Sequence, residues 1–115
     1  MHVRTVLATV AVADFETSLA WYERFLGRPP DERPMDGLAQ WHISESALFQ
    51  VLQHDEGAGK SVVGVAVADL GREVADLRDR GISPRAEERT SEKVLFETFL
   101  DPEGNEIGLL QQKPG

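Results

Sequence analysis

The sequence predicts an α+β protein built from two copies of a βαβββ module. The five residues VAVAD occur at 10–14 and again at 65–69, which is 55 positions later in a chain of 115 residues. With the same offset, Ala20 corresponds to Ala75. In each half, a run rich in β-branched residues leads to an Asp, an amphipathic stretch and turn residues. A period close to half the chain indicates a duplicated module, because solenoids repeat short units several times.

The first module begins with a predicted strand over Val3–Val12. Asp14 is a typical helix N-cap residue, because its carboxylate can accept hydrogen bonds from free backbone N–H groups. Gly27 suits the end of this helix, and residues 28–37 form a loop with room for a short edge strand. The apolar residues of the helix recur at helical spacing: Phe15, Leu19, Tyr22 and Leu26.

Two further strands, Leu38–Ser44 and Ala47–Gln53, complete the first module around a Ser-Glu-Ser turn. The segment 55–60 reads DEGAGK and is interpreted as a linker. A chain of this length usually forms one domain. We therefore expect a single domain over residues 1–115, with module one at 1–54, the linker at 55–60 and module two at 61–112.

The second module repeats this order of elements. A strand over Ser61–Ala68 precedes Asp69, the second helix cap, and the helix ends at Gly81. The turn DPEGN at 101–105 separates the last two strands, because Pro fixes φ while Gly and Asn allow positive φ. Three strands are predicted after the helix: Pro84–Arg89, Val94–Leu100 and Glu106–Gln111.

Composition excludes several classes of partner. The chain has 20 acidic residues and 12 Lys and Arg residues, a formal charge of −8, so we expect no nucleic-acid partner. It has no apolar run of membrane-spanning length and no cysteine. The N-terminal MHVRTVLATVAVAD has features of a signal peptide, but the internal copy of VAVAD favours a buried strand. We therefore expect a cytoplasmic protein with no membrane contact.

The first module carries Val12, Asp14, Ser18, Trp21-Tyr22 and Leu26-Gly27 in order, and the chain closes with DPEGNEIGLLQ. This combination resembles the vicinal oxygen chelate superfamily, which includes glyoxalase I, extradiol dioxygenases and bleomycin-resistance proteins. The resemblance covers nearly the whole chain. It implies that the two modules form a cupped mixed sheet around a cavity, commonly in a homodimer.

In the metal-dependent enzymes of this superfamily, the modules supply four ligands from cavity-facing strand positions. By the resemblance, these positions fall on Leu7, Gln50, Val62 and Gly108. Only Gln50 can donate an electron pair, whereas divalent ions need about four to six N, O or S ligands. The three histidines share no short ligand spacing. We therefore expect no metal site and no cofactor.

Alternation along the strands indicates which residues face the cavity. Trp41 and its apolar neighbours should meet the helix, which turns Gln40 and His42 towards the same side as Gln50. Strand 94–100 is apolar on both faces, so its orientation stays open. The residues expected to bind a ligand are Leu7, Thr9, Gln40, His42, Gln50, Leu52, Val62, Phe96, Gly108 and Leu110.

These observations favour a metal-free protein that sequesters a small organic molecule, such as an antibiotic, in an apolar cavity with a few polar groups. A glyoxalase-like lyase or isomerase that uses His42, or a metal bound elsewhere, is the alternative. A third hypothesis is an interaction module in which the leucines simply pack between modules or across a dimer.

Overall fold

A computed structural model of the chain describes residues 1–85, 89–90 and 93–113. Each half contains one strand, one helix and three more strands, which confirms the duplicated βαβββ module. The first module consists of Val6–Val12 (β1), Phe15–Leu26 (α1), Glu32–Met35 (β2), Leu38–Ser44 (β3) and Ala47–Gln53 (β4). After a 3₁₀ turn at Asp55–Gly57, the second consists of Val62–Ala66 (β5), Leu70–Asp79 (α2), Arg89–Thr90 (β6), Val94–Leu100 (β7) and Glu106–Gln112 (β8).

Each module forms a four-stranded mixed sheet. The strand orders are β1-β4-β3-β2 and β5-β8-β7-β6. In both sheets the first strand runs parallel to the last strand of its module, while the other neighbours are antiparallel. A parallel neighbour requires a crossover connection, and the helix of the module provides it. The predicted α+β class and mixed sheet are therefore confirmed.

The predicted element boundaries are mostly close to the observed ones. Both β3 and β4 have the predicted bounds, whereas β1 begins at Val6 because residues 1–5 extend into solvent without a neighbouring strand. Part of the strand predicted at Pro84–Arg89 lies outside the described residues. Within the described part of the chain, no helix is long and apolar enough to cross a membrane.

Both predicted helix caps are present. The Asp14 carboxylate accepts a hydrogen bond from the Thr17 amide at 3.2 Å, and Asp69 accepts one from the Arg72 amide at 3.1 Å. These contacts satisfy backbone N–H groups that have no partner inside the helix. The repeated VAVAD therefore encodes the end of the first strand and the start of the helix in each module.

The buried surface of α1 is wider than the predicted stripe. Trp21 and Phe25 are buried in addition to Phe15, Leu19 and Tyr22, whereas Leu26 is only partly buried. The predicted apolar stripe is that of a helix that packs against only one sheet. Here α1 also contacts the second module, where the rings of Phe25 and Phe99 are 5.5 Å apart.

The closing DPEGN turn joins the two modules. Asn105, which has no exposed surface, donates through its side-chain amide to the Ala11 carbonyl at 2.9 Å and to Asp101 at 2.7 Å. Its amide oxygen accepts a hydrogen bond from the Ser61 N–H at 2.8 Å. Glu103 accepts hydrogen bonds from the N–H groups of Ala13 and Asp14 at 2.7 and 2.8 Å. The DPEGN turn therefore binds residues 11–14, where β1 ends and α1 begins.

Tyr22 adds a buried contact to this junction. Its hydroxyl donates to the Asp101 carboxylate at 2.7 Å. Burial, together with the neighbouring carboxylate, raises the pKa of the Tyr22 hydroxyl far above its usual value. Tyr22 therefore stays protonated and acts as a permanent donor to module two.

The two sheets meet at one point along their edges. The Ala11 N–H donates to the Ser61 hydroxyl at 2.9 Å, and the Gly59 N–H donates to the Ala11 carbonyl at 3.3 Å. The end of β1 therefore adjoins the start of β5, through side-chain and linker contacts in place of a regular strand ladder.

Candidate functional site

The buried side chains of the first sheet show which of its two faces packs against the helix. Val10, Val51 and Ala39 are register partners on three neighbouring strands, and none has exposed surface. Phe49 and Trp41 form the adjacent buried pair. Because side chains alternate along a strand, the residues between them point away from the helix. We call this side of each sheet the helix-free face.

Three rows of register partners make up the helix-free face of module one. The middle row consists of Thr9, Gln50 and Gln40. The rows on either side are Leu7, Leu48 and His42, and Ala11, Leu52 and Leu38. The structure thus places all six candidate residues predicted in this module side by side on one surface.

The middle row is a continuous hydrogen-bonded chain. The Gln40 side-chain amide donates to the Gln50 oxygen at 2.8 Å, and the Gln50 amide donates to the Thr9 hydroxyl at 2.8 Å. All three residues are partly buried. The row retains the Gln40 oxygen, one N–H of each amide and the Thr9 hydroxyl hydrogen as further hydrogen-bonding groups. A polar strip between leucine rows can orient a mostly apolar ligand.

His42 lies at the rim of this face. Its Nε2 is 2.8 Å from the Glu32 carboxylate, and about half of each side chain is exposed. The backbone nearby is fixed by Asp31, which accepts from the His42 N–H at 2.7 Å and from Arg28 at 2.7 Å. The hydrogen bond from the His42 backbone has the larger effect on Asp31, and the bond from Arg28 adds to it. Together they hold the pKa of the Asp31 carboxyl below its usual value. His42 is thus placed to contact only the edge of a bound molecule.

The corresponding face of module two carries the other four candidates. Its rows are Ala66, Leu110 and Phe96; Gly64, Gly108 and Thr98; and Val62, Glu106 and Leu100. The orientation of β7, which the sequence left open, is settled by Phe99, which is fully buried on the helix side. Phe96 and Thr98 therefore share the helix-free face with Gly108.

Phe96 lies directly against Gly108. A Cβ atom added to Gly108 would be 2.6 Å from Cζ and 2.8 Å from Cε2 of the Phe96 ring. The ring therefore occupies the space that a side chain at position 108 would need. Side-chain alternation along the strand does not predict this contact, because the contact depends on the rotamer of one side chain.

An ion pair on the same face was missed. Arg85 donates to the Glu106 carboxylate at 3.0 Å, and both side chains are about one-third exposed. Glu106 could have been found, because it shares its strand face with Gly108 and Leu110. Arg85 falls in the predicted strand Pro84–Arg89, for which the sequence indicates no inward face, and in the structure it lies outside the strands of the described residues.

The four positions at which the resemblance implies metal ligands do not fit a metal ion. Leu7, Val62 and Gly108 have no donor atom in their side chains, and the Gln50 oxygen already accepts a hydrogen bond from Gln40. The Phe96 ring also fills the space beside Gly108. Among the described residues, no three His, Cys, Asp or Glu side chains form a group that could hold a metal ion.

Another cleft in the described residues, about 660 Å³, lies elsewhere, between the start of α1 and the β2–β3 turn. Among its charged groups, Asp14 caps α1, and Arg33 lies near Glu16 at 3.4 Å and over the Phe15 ring at 5.5 Å. It is an open surface groove. Its charged side chains are exposed, so volume alone does not make it the better candidate.

Replacing Gly108 with alanine is expected to push the Phe96 ring aside and to lower the free energy of unfolding by about 1–2 kcal/mol. Gly64→Ala is the matched control, because its added Cβ would meet only a Leu110 methyl group at 3.9 Å. Urea denaturation measures the free energy of unfolding of both variants. In a Phe96→Ala background the cost of Gly108→Ala should disappear, and an unchanged cost would contradict the contact described here.

Comparison with known proteins gives a consistent result. The sequence model of a family described as "Glyoxalase-like domain" matches residues 7–110. A glyoxalase/bleomycin resistance protein from Catenulispora acidiphila is 33% identical, with a TM-score of 0.88 over 96% of this chain and 98% of that one. No protein with curated annotation matches the chain.

Two more distant structures share the fold. An antibiotic-binding protein, TnmS3, from a Streptomyces species is 21% identical, with a TM-score of 0.75 over 98% of this chain and 97% of that one. A bleomycin-binding protein, solved in complex with bleomycin, is 19% identical, with a TM-score of 0.73 over 98% of this chain and the whole of the other.

Proposed function

The chain belongs to the glyoxalase-like domain family, and we propose that it binds a small organic molecule on its helix-free face without a metal ion. The observation that carries this proposal is the hydrogen-bonded row of Thr9, Gln50 and Gln40 between two apolar rows. Such a surface supplies contact area from leucines and orientation from a few fixed polar groups. The ligand face would extend over Phe96 and Leu110 in module two.

The ligand we favour is an antibiotic or a molecule of similar size and polarity. Two proteins with this fold bind such compounds, which supports the class without identifying the compound. The charge of −8 also favours encounter with a cationic molecule, although net charge acts on association and not on the site itself. Sequestration in the cytoplasm is the biological role we propose.

Binding is favoured over turnover by the chemistry of the face. His42 is half-exposed at the rim and is paired with Glu32. Within the described residues, the three groups of the middle row are two amides and a hydroxyl, which do not exchange protons near neutral pH. A general acid or base should lie within hydrogen-bonding reach of the reacting atoms. Among the described residues, the helix-free face of module one offers such a group only at its edge, in His42, and Glu106 of module two is paired with Arg85.

The experiment that tests this function is a thermal denaturation screen in EDTA, with bleomycin and other antibiotics as probes. Saturation at about 100 times Kd should stabilise the folded state by about 2.7 kcal/mol, which shifts Tm by several degrees. The proposal predicts such a shift for at least one compound with chelator present. Shifts that occur only after divalent metal is added would contradict it.

We further propose that the protein is a homodimer that covers the apolar edge of module two. Val62 is 75% exposed and Leu100 is 44% exposed, in one row on the helix-free face. Val62→Asp is expected to convert the dimer to a monomer in sedimentation velocity. Val3→Asp, at a position 65% exposed in the N-terminal segment, is the control that should leave the mass unchanged. A wild-type monomer at high micromolar concentration would refute this proposal.

A further inference from the structure

A second cleft lies on the helix side of the sheets, opposite the face discussed above. It has a volume of about 140 Å³ and is formed where the two modules meet. Module one contributes Phe25 and Leu26, and module two contributes Val65, Leu77, Glu73 and Arg80. We call it the seam cleft.

The walls of the seam cleft are mostly apolar. Phe25 and Leu77 are buried, and Leu26 and Val65 are partly buried and pack against the same core. Protein interiors contain few voids larger than a water molecule, and unfilled apolar space lowers stability in proportion to its volume. An apolar cavity of about 150 Å³ can bind a single benzene ring. The seam cleft is therefore the right size for one small ring or a short alkyl group.

The two charged side chains of the seam cleft differ in what they can offer a ligand. The Arg80 guanidinium donates to the carbonyls of Arg24 and Phe25 in the last turn of α1. Its positive charge is thus directed at the negative end of that helix. Within the described part of the chain, the half-buried Glu73 carboxylate forms no hydrogen bond or ion pair. A ligand would therefore meet a free carboxylate beside an apolar pocket.

From this arrangement we propose that the seam cleft binds a small amine, meaning one ring or short alkyl group that carries a protonated amino group. The apolar part would lie among Phe25, Leu26, Val65 and Leu77, and the ammonium group would donate to Glu73. Partly buried, charge-assisted hydrogen bonds are among the stronger polar contacts in proteins. This site is separate from the helix-free face and does not depend on the function proposed for that face.

Benzylamine is the probe, with toluene and benzoate for comparison. Titration of the ¹⁵N-labelled protein should shift the backbone amide signals of Val65, Val67 and Leu77. We expect benzylamine to bind about tenfold more tightly than toluene, because only the amine can pair with the carboxylate. Benzoate should bind least. Absence of benzylamine shifts at millimolar concentration in the folded protein would overturn the proposal.

Two variants separate the pocket from the charge. Val65→Met places a longer, flexible side chain in the cleft and should weaken benzylamine binding by about fivefold or more. Val63→Met, on the same strand face but outside the cleft, is its control and should leave binding unchanged. Glu73→Gln should reduce benzylamine affinity to that of toluene. Equal benzylamine binding by wild type and Glu73→Gln would refute the assigned role of the carboxylate.

A negative result here leaves the antibiotic screen interpretable, because the two sites lie on opposite sides of the sheets. Benzylamine shifts confined to Thr9, Gln40 and Gln50 would mean that the amine occupies the helix-free face. That outcome would overturn the seam-cleft proposal while supporting the proposed function.

Discussion

Replacing Asn105 with alanine is expected to lower the free energy of unfolding by about 3–5 kcal/mol. The Asn105 side chain is fully buried and is bonded to Ala11, Ser61 and Asp101. Alanine would leave the Ser61 N–H without a partner, and the Ala11 carbonyl and the Asp101 carboxylate would each lose one hydrogen bond while keeping those from Gly59 and Tyr22. The effect should be large because these contacts join the two modules.

Urea denaturation followed by the fluorescence of the buried Trp21 and Trp41 measures this change. Gln112→Ala is the control, because Gln112 is exposed at the end of β8 and its substitution should change stability by less than about 0.5 kcal/mol. A loss below about 1 kcal/mol for Asn105→Ala would show that the junction contributes little.

Replacing Gln50 with leucine is expected to weaken ligand binding on the helix-free face by about thirtyfold. Gln50 lies between Gln40 and Thr9, so its loss removes the central group of the polar row and breaks both hydrogen bonds. Leucine keeps most of the side-chain volume, and the row is only partly buried. The free energy of unfolding should therefore change by less than about 1 kcal/mol. Isothermal titration with a compound from the antibiotic screen measures the affinity.

Gln53→Leu is the matched control for this variant, because Gln53 is exposed at the end of the same strand. It should leave affinity within about twofold of wild type. Equal affinity of Gln50→Leu and wild type would show that the polar row does not contact the ligand, and the binding surface would have to be sought elsewhere.

Local signals in the sequence were sufficient to predict the order of the strands and helices. Helix starts could be predicted from Asp14 and Asp69, because capping is a contact between neighbours in the chain. The orientation of β3 could be predicted from alternation, because its apolar residues, including Trp41, all fall on one face. Strand β7 has apolar residues on both faces, so its orientation is shown only by the structure, in which Phe99 is fully buried beside Ile107.

Contacts between the modules could not be predicted in the same way. DPEGN reads as a turn, but nothing local indicates that Glu103 and Asn105 bind the end of β1 about 90 residues away. The burial of Phe25 is a similar case, because its ring contacts Phe99 in the second sheet. The candidate residues of each module lie on one face of its sheet, and their role in binding is a proposal.

The most direct test of metal-free binding on the helix-free face is a ¹⁵N NMR titration, in EDTA, with an antibiotic that raises Tm. The proposed function predicts shifts of the side-chain amide signals of Gln40 and Gln50 and of the backbone signals of Thr9, Phe96 and Gly108. Shifts confined to other surfaces, or shifts that require added divalent metal, would contradict it.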